Sequence, residues 1–228
     1  MIIFTDPHGC FLTFKALYDR MKVMFPDEEI VIAGDLPDRG PRTREMIQFV
    51  IDNKIPCLKG NHDDFMSEPG AEWLWHQNGG LRALESYRLP DGKIDEAALA
   101  AHRAFLKGLP LYFERPDLKH ESGRHLLVTH APVGQGKLEN QVKKTDRWGN
   151  LDFIWNRNRP PRSNKEWFNV HGHNPLPHGP DITEWYANID TGCAYAKSYS
   201  EQYGVLTCLR FPSMETFSQK NIEGEEKS

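Results

Sequence analysis

Five short apolar runs, each stopped by a polar block, constrain this chain more than any other feature. Met1 to Phe4, Ile30 to Ala33, Ile55 to Leu58, Leu126 to Val128 and Phe168 to Val170 are the runs. The blocks are Asp6-Pro7-His8-Gly9, Gly34-Asp35-Leu36-Pro37-Asp38-Arg39-Gly40, Gly60-Asn61-His62-Asp63, Thr129-His130 and His171-Gly172-His173. Such runs read as strands that end in loops. Phe11 to Met24 places Phe11, Phe14, Leu17, Tyr18 and Met21 at helical spacing, and Thr43 to Ile51 does the same with Met46, Ile47 and Val50. Strand, loop and helix in alternation predict an α/β fold. In open α/β sheets the carboxyl ends of neighbouring strands bring distant loops to one crevice, so the polar blocks are expected to meet.

The residue types in those blocks suit a pair of divalent metal ions. Asp6 and His8 are expected to share a face, because side chains two apart on extended backbone point the same way; they supply a first metal. Asp35 is the natural bridging carboxylate, and Asn61, His130 and His173 add a neutral oxygen and two imidazoles for a second metal. Any one Asp or Asn after a strand could equally cap its turn. It is the fixed order of the blocks that argues for a site. Mixed oxygen and nitrogen donors without thiolate suit manganese, iron, cobalt, nickel or zinc better than calcium or magnesium, with manganese favoured.

These blocks resemble those of the metallophosphoesterases, and specifically the bacterial and phage-type serine/threonine phosphoprotein phosphatases. The resemblance covers most of the chain. It extends to Trp75-His76-Gln77-Asn78-Gly79-Gly80 with Leu84-Glu85-Ser86-Tyr87, to Ile154-Trp155-Asn156-Arg157, and to Ile189-Asp190-Thr191-Gly192. It implies a calcineurin-like fold, with two packed mixed β-sheets flanked by helices. It also implies in-line attack on phosphorus by a hydroxide bridging two metals, and a divalent ion does lower the pKa of bound water from about 15.7 toward roughly 7. Carried over by position, the resemblance makes His62 the proton donor to the leaving group and Asp38 the carboxylate that keeps its imidazolium charged. Arg39 and Arg157 become the phosphate clamps, a task for which guanidinium offers a rigid bidentate fork. Gly172-His173-Asn174-Pro175 resembles a single-histidine ending, which leaves His171 structural.

Two positions depart from the usual pattern. Pro37 stands where Val is common, a benign change if that N–H was unpaired. Asp63 stands where Glu is common, and Gly-Asn-His-Asp is also found in symmetrical diadenosine tetraphosphate hydrolases. Asp38 and the Asn-Gly-Gly stretch favour monoester hydrolysis instead. The sequence therefore predicts a metal-dependent phosphatase acting on phosphoprotein or small phosphate esters. The alternative is hydrolysis of diadenosine tetraphosphate or a nucleotide phosphodiester on the same site, with Trp73, Trp75, Tyr87 and Trp148 as available stacking surfaces. A non-catalytic phosphoprotein-binding module would have no use for both His62 and Asp38.

At 228 residues, 39% hydrophobic and 26% charged, the chain suits one domain over residues 1–217. A helical insertion is expected over about 65–110 and a flexible tail over 218–228. Pro132 to Pro161 reads as a long polar excursion. A net charge of −4 provides no basic footprint, so no nucleic-acid partner is expected. Cys10, Cys57, Cys193 and Cys208 lack zinc-type spacing and suggest buried free thiols in a reducing compartment. With no leader-like segment before the first strand and no run long enough to span a membrane, the expected location is cytoplasmic. Oligomeric state has no sequence signature here.

Overall fold

The computed structural model describes residues 1–68, 70, 72–134, 138–141, 143, 152–161, 165–195 and 202–224. Two mixed sheets are formed. The first has four strands: β1 (Ile2–Phe4), parallel to β2 (Ile30–Ile32) on one side and antiparallel to β8 (Val205–Arg210) on the other, which pairs in turn with β9 (Glu215–Lys220). The second has five, in the order β3 (Tyr112–Lys119), β4 (His125–Thr129), β5 (Trp167–His171), β7 (Tyr186–Asn188) and β6 (Asp181–Ile182), and β4, β5 and β7 run parallel.

Strand alternation decides what packs where. Ile3, Val31 and Leu209 of the first sheet interlock with Leu126, Val128, Phe168, Val170 and Ala187 of the second, all buried, which closes the sheets face to face. Ile2, Phe4, Ile30, Ile32, Leu206 and Cys208 point to the opposite side. There they meet α1 (Phe11–Met24) through Phe14, Leu17 and Met21 and α2 (Thr43–Asp52) through Met46, Ile47 and Val50, the stripes visible in the sequence. Each such large side chain taken from water contributes roughly 1.5–3 kcal/mol. Leu127, Val133, Phe153 and Trp167 form a small cluster on the outer face of the second sheet.

Between Asn61 and Lys107 the chain forms α3 (Asn61–Ser67), α4 (Glu72–Trp75), a π-helical turn at His76–Gly80, α5 (Leu81–Glu85) and α6 (Glu96–Lys107). Helix α6 starts where Asp95 caps it, the carboxylate accepting from Ala98 N–H at 3.1 Å. Two further short helices, α7 (Leu138–Gln141) and α8 (Asp152–Trp155), lie in the Pro132 to Pro161 stretch. Lys144, Asp146, Arg147 and Trp148 of that stretch lie outside the described residues.

Two expectations are corrected. Ile55 to Leu58 is no strand: it makes one bridge, Ile32 to Cys57, because Pro56 has no N–H with which to continue a ladder. The tail is shorter than expected, since Ser218, Gln219 and Lys220 belong to β9 and Glu223 is tied to α1 through Thr13. Polarity misled there because β9 is an edge strand with four of its six side chains exposed.

Candidate metal centre

All four strand-ending loops that carry candidate ligands lie at the carboxyl ends of β1, β2, β4 and β5, and the Gly60–Asp63 turn joins them. The first two loops are zipped together through the backbone, with His8 N–H donating to Asp35 O (3.0 Å), Gly9 N–H to Leu36 O (2.8 Å) and Gly40 N–H to His8 O (2.7 Å). Asp63 fastens the next turn: its carboxylate accepts from the N–H groups of Asp35 (2.7 Å), Gly60 (2.7 Å) and Leu36 (3.1 Å). Close approach dictates glycine at two points. A Cβ on Gly60 would stand 2.2 Å from Asp35 Oδ1, and one on Gly172 would stand 1.9 Å from Asp6 Oδ2.

Backbone strain is concentrated here. Asp6, His8, Asp35, Asp38, Arg39 and His173 all have positive φ, between 46° and 75°; Lys54 and Met214 are the remaining non-glycine cases among the described residues. Each costs on the order of 1–3 kcal/mol, which persists only where surrounding contacts over-determine it. The left-handed turns at Asp6 and His8 also correct the extended-segment argument for those two side chains.

Two groups of buried donors converge, each with its ligand atoms within 4.8 Å of one another: His8, Asp35 and His62, and Asp35, His130 and His173. Asp35 belongs to both. Its Oδ2 lies 3.5 Å from His8 Nε2 and its Oδ1 3.5 Å from His130 Nε2, which is the disposition a bridging carboxylate needs. Asn61 Oδ1 sits 3.0 Å from His130 Nε2, completing the second group. Two imidazoles are aimed from behind. His8 Nδ1–H donates to Pro37 O (3.0 Å) and His130 Nδ1–H to Ala33 O (2.9 Å), so each presents Nε2 to the centre. Proline at position 37 costs nothing there, because the carbonyl is what His8 uses.

Asp6 is buried beside these groups, and its carboxylate accepts the His173 backbone N–H at 3.1–3.2 Å; His62 joins His8 and Asp35 in the first group. Burial, with Asp190 and Asp35 nearby, raises the Asp6 pKa well above the usual carboxylate range. For Asp35 burial acts in the same direction, but His130, His62, His8 and Arg39 outweigh it and hold this carboxylate well below its ordinary value. His173 Nε2 is buried without a hydrogen-bond partner. His173 Nδ1 lies 3.1 Å from His130 Nε2, and imidazole nitrogens gathered round one shared carboxylate fit a divalent cation.

His62 and Asp38 are brought together as the sequence implied, with Nδ1 2.7 Å from Asp38 Oδ2. Asp38 Oδ1 accepts Trp75 Nε1–H, also at 2.7 Å, and all three side chains are buried. Gly79 and Gly80 let the π-helical turn press on this pair: a Cβ would meet Arg39 N at 2.9 Å and the Trp75 ring at 2.6 Å respectively. Burial and Arg39 push the His62 imidazole down to about 3, against the pull of Asp35. Arg39 sets its guanidinium against Nε2 of both His8 and His62. Arg157 is exposed, donates to Asn174 Oδ1 (3.1 Å), and lowers the pKa of His62, His130 and His173 by its charge. His171 is buried beneath the centre with Nδ1–H on Gly172 O (3.1 Å).

Sequence reasoning missed what Trp75 and Asp63 do. The Trp-x-x-Asn-Gly-Gly block signalled that Trp75 mattered, but only folding shows its N–H on Asp38. Of the aromatic residues considered for base stacking, Trp75 and Tyr87 are core, Trp73 is exposed, and Trp148 lies outside the described residues.

A centre of two imidazole-carboxylate groups sharing one aspartate, with arginines beside it, defines a metal-dependent phosphoesterase. Residues 1–206 match the family model of the calcineurin-like phosphoesterases, and the chain belongs to that family. It is 28% identical over 240 residues to the asymmetrical bis(5'-nucleosyl)-tetraphosphatase PrpE of Anoxybacillus flavithermus, covering 95% of this chain and 92% of that one. The PrpE of Geobacillus thermodenitrificans matches at the same identity and coverage. The fold is shared with a crystal structure of a candidate diadenosine tetraphosphatase (TM-score 0.63, 18% identity, 96% and 92% coverage). It is shared too with a protein-tyrosine phosphatase of a Shewanella species (TM-score 0.60, 14% identity, 96% and 80% coverage).

Proposed function

We propose that the protein hydrolyses a dinucleoside polyphosphate, cutting it asymmetrically at a two-metal centre held by Asp6, His8, Asp35, Asn61, His130 and His173. When bound, divalent ions supply an acidified water and positive charge for the phosphoryl oxygens. Asp35 holds the two positions at a fixed spacing. Arg39 and Arg157 bind the non-bridging oxygens, and His62, oriented by Asp38, carries the proton that the departing oxygen needs. The observation that carries the chemistry is the placement of the two Asp35 oxygens, each facing a different histidine Nε2 at 3.5 Å.

The substrate half of the reading rests on the relatives named as tetraphosphatases along nearly their whole length. It displaces the phosphoprotein substrate put first by the sequence. Asp63, the residue that pointed to dinucleotides, does not itself choose the substrate, because its carboxylate is consumed by three backbone N–H groups. The manganese-loaded protein should therefore convert diadenosine tetraphosphate to AMP and ATP faster than it dephosphorylates a phosphothreonine peptide at equal concentration. Faster turnover of the peptide, or two equivalents of ADP from the dinucleotide, overturns the assignment.

A further inference from the structure

A cleft of about 470 Å³ opens beside the metal centre, between the Gln77–Arg82 turn, the end of the Cys193–Tyr195 turn and the Asn221–Gly224 segment. Arg39 joins the two spaces. Its guanidinium lies against Nε2 of His8 and His62, and its central carbon is 5.0 Å from the centre of the Tyr195 ring, a wall of the cleft. Any group attached to a phosphate held by Arg39 on this side enters that space.

The lining has the chemistry of a nucleotide site. Arg82 forms no ion pair among the described residues. Other surface arginines do, as Arg44 does with Asp95, Arg88 with Glu85 and Arg115 with Glu29. The cleft's one carboxylate is already engaged: Glu223 Oε1 accepts from Thr13 N–H (2.9 Å) and Thr13 Oγ1 (3.1 Å), and Oε2 faces Arg42 Nε at 3.4 Å. Arg39 and Arg82 are thus left to attract anions. Gln77 supplies an amide that can both donate and accept, Asn78 keeps its Oδ1 as an acceptor while its Nδ2 donates to Leu74 O (2.8 Å), and Tyr195 supplies a ring face. The Asn221 amide is spent inside the protein, on Cys193 O (2.8 Å) and the Glu223 N–H (2.9 Å), and serves as wall only. The volume lies within the usual 300–1,000 Å³ of small-ligand sites.

We propose that this cleft seats one nucleotide arm of the substrate, with Arg82 on a phosphate and Tyr195, the Gln77 amide and Asn78 Oδ1 on the nucleoside. The proposal rests on the dinucleotide reading above and deepens it: a nucleoside anchored at a fixed distance from the metals selects which phosphorus is attacked, which is what asymmetric cleavage requires.

Two measurements test it. In Arg82→Ala and Tyr195→Ala the KM for diadenosine tetraphosphate should rise about ten-fold or more, and the KM for 4-nitrophenyl phosphate, too small to fill the cleft, should rise much less; equal rises on both substrates overturn the proposal. Metal-free wild-type protein, followed by calorimetric titration with ATP, should bind it about ten-fold more tightly than Arg82→Ala does; equal affinity overturns the proposal. If the wild-type protein cuts no dinucleotide, the functional reading falls by itself, and the ATP titration still decides the cleft.

Discussion

Replacing Trp75 by Phe removes one buried hydrogen bond and a part of the ring while keeping an aromatic side chain in place, which makes it a sharp probe of the proton-donor assembly. Trp75 is 1% exposed and its Nε1–H is 2.7 Å from Asp38 Oδ1, a fully buried carboxylate whose other oxygen serves His62. Hydrogen bonds to charged groups contribute about 1.5–3 kcal/mol, and a buried acceptor left unsatisfied keeps its full desolvation penalty. The guanidinium of Arg103, 5.1 Å from the Trp75 ring centre, adds about 0.5–1 kcal/mol, part of which Phe retains. The expected loss of unfolding free energy is therefore about 2–4 kcal/mol, read by urea denaturation of the metal-free protein. Catalysis should fail selectively. With Asp38 free to turn, His62 loses its orientation, and kcat should fall about ten-fold or more on esters with poor leaving groups while aryl phosphates with acidic phenols are affected far less. A stability within about 0.5 kcal/mol of wild type, or an equal loss on all leaving groups, refutes the hydrogen-bonded chain from Trp75 through Asp38 to His62.

Other outcomes follow from the same geometry. Gly60→Ala should weaken manganese affinity at least ten-fold in a metal titration, because its Cβ would fall 2.2 Å from Asp35 Oδ1; unchanged affinity would mean that the Asp35 loop yields freely. His62→Asn should lower kcat on the dinucleotide about 10²–10⁴-fold and leave two metals bound, as counted by atomic emission; loss of one metal would make His62 a ligand, as its place beside His8 and Asp35 allows. Burial pushes the His171 imidazole down to about 4, below its unfolded value near 6.5. The unfolded chain therefore takes up the proton first on acidification, and stability present above pH 6.5 is lost as pH falls toward 4. This contribution is on the order of 3 kcal/mol, so His171→Leu should show a flatter dependence of urea midpoint on pH between 7 and 4.5 than wild type; parallel curves would contradict it.

The parts of this account that were legible in the sequence are those in which local pattern and final environment agree. Phe14, Leu17 and Met21 form a helical stripe because one side of α1 is buried, and the polar blocks follow apolar runs because strands must end before their ligands can leave the sheet. The converging histidines were readable for the same reason. What failed depends on contacts distant in sequence. The amphipathic β9 looked like a tail because its partner, β8, is what makes it a strand. Ile55 to Leu58 looked like a strand until the missing N–H of Pro56 limited it to one bridge. That the Asp6 carboxylate also accepts the His173 N–H is visible only in the fold. The roles of Trp75 and Asp63 were hidden likewise, since a single donor or acceptor is assigned only by what folding sets opposite it.

Sharing of Asp35 between two metal positions is what would make this site a two-metal centre. Manganese titration of the wild-type chain, by calorimetry with elemental analysis of the product, should count two ions per chain, and Asp35→Asn should weaken both. A wild-type stoichiometry of one, or a variant that loses a single ion and holds the other with undiminished affinity, would contradict the bridge on which the site has been built.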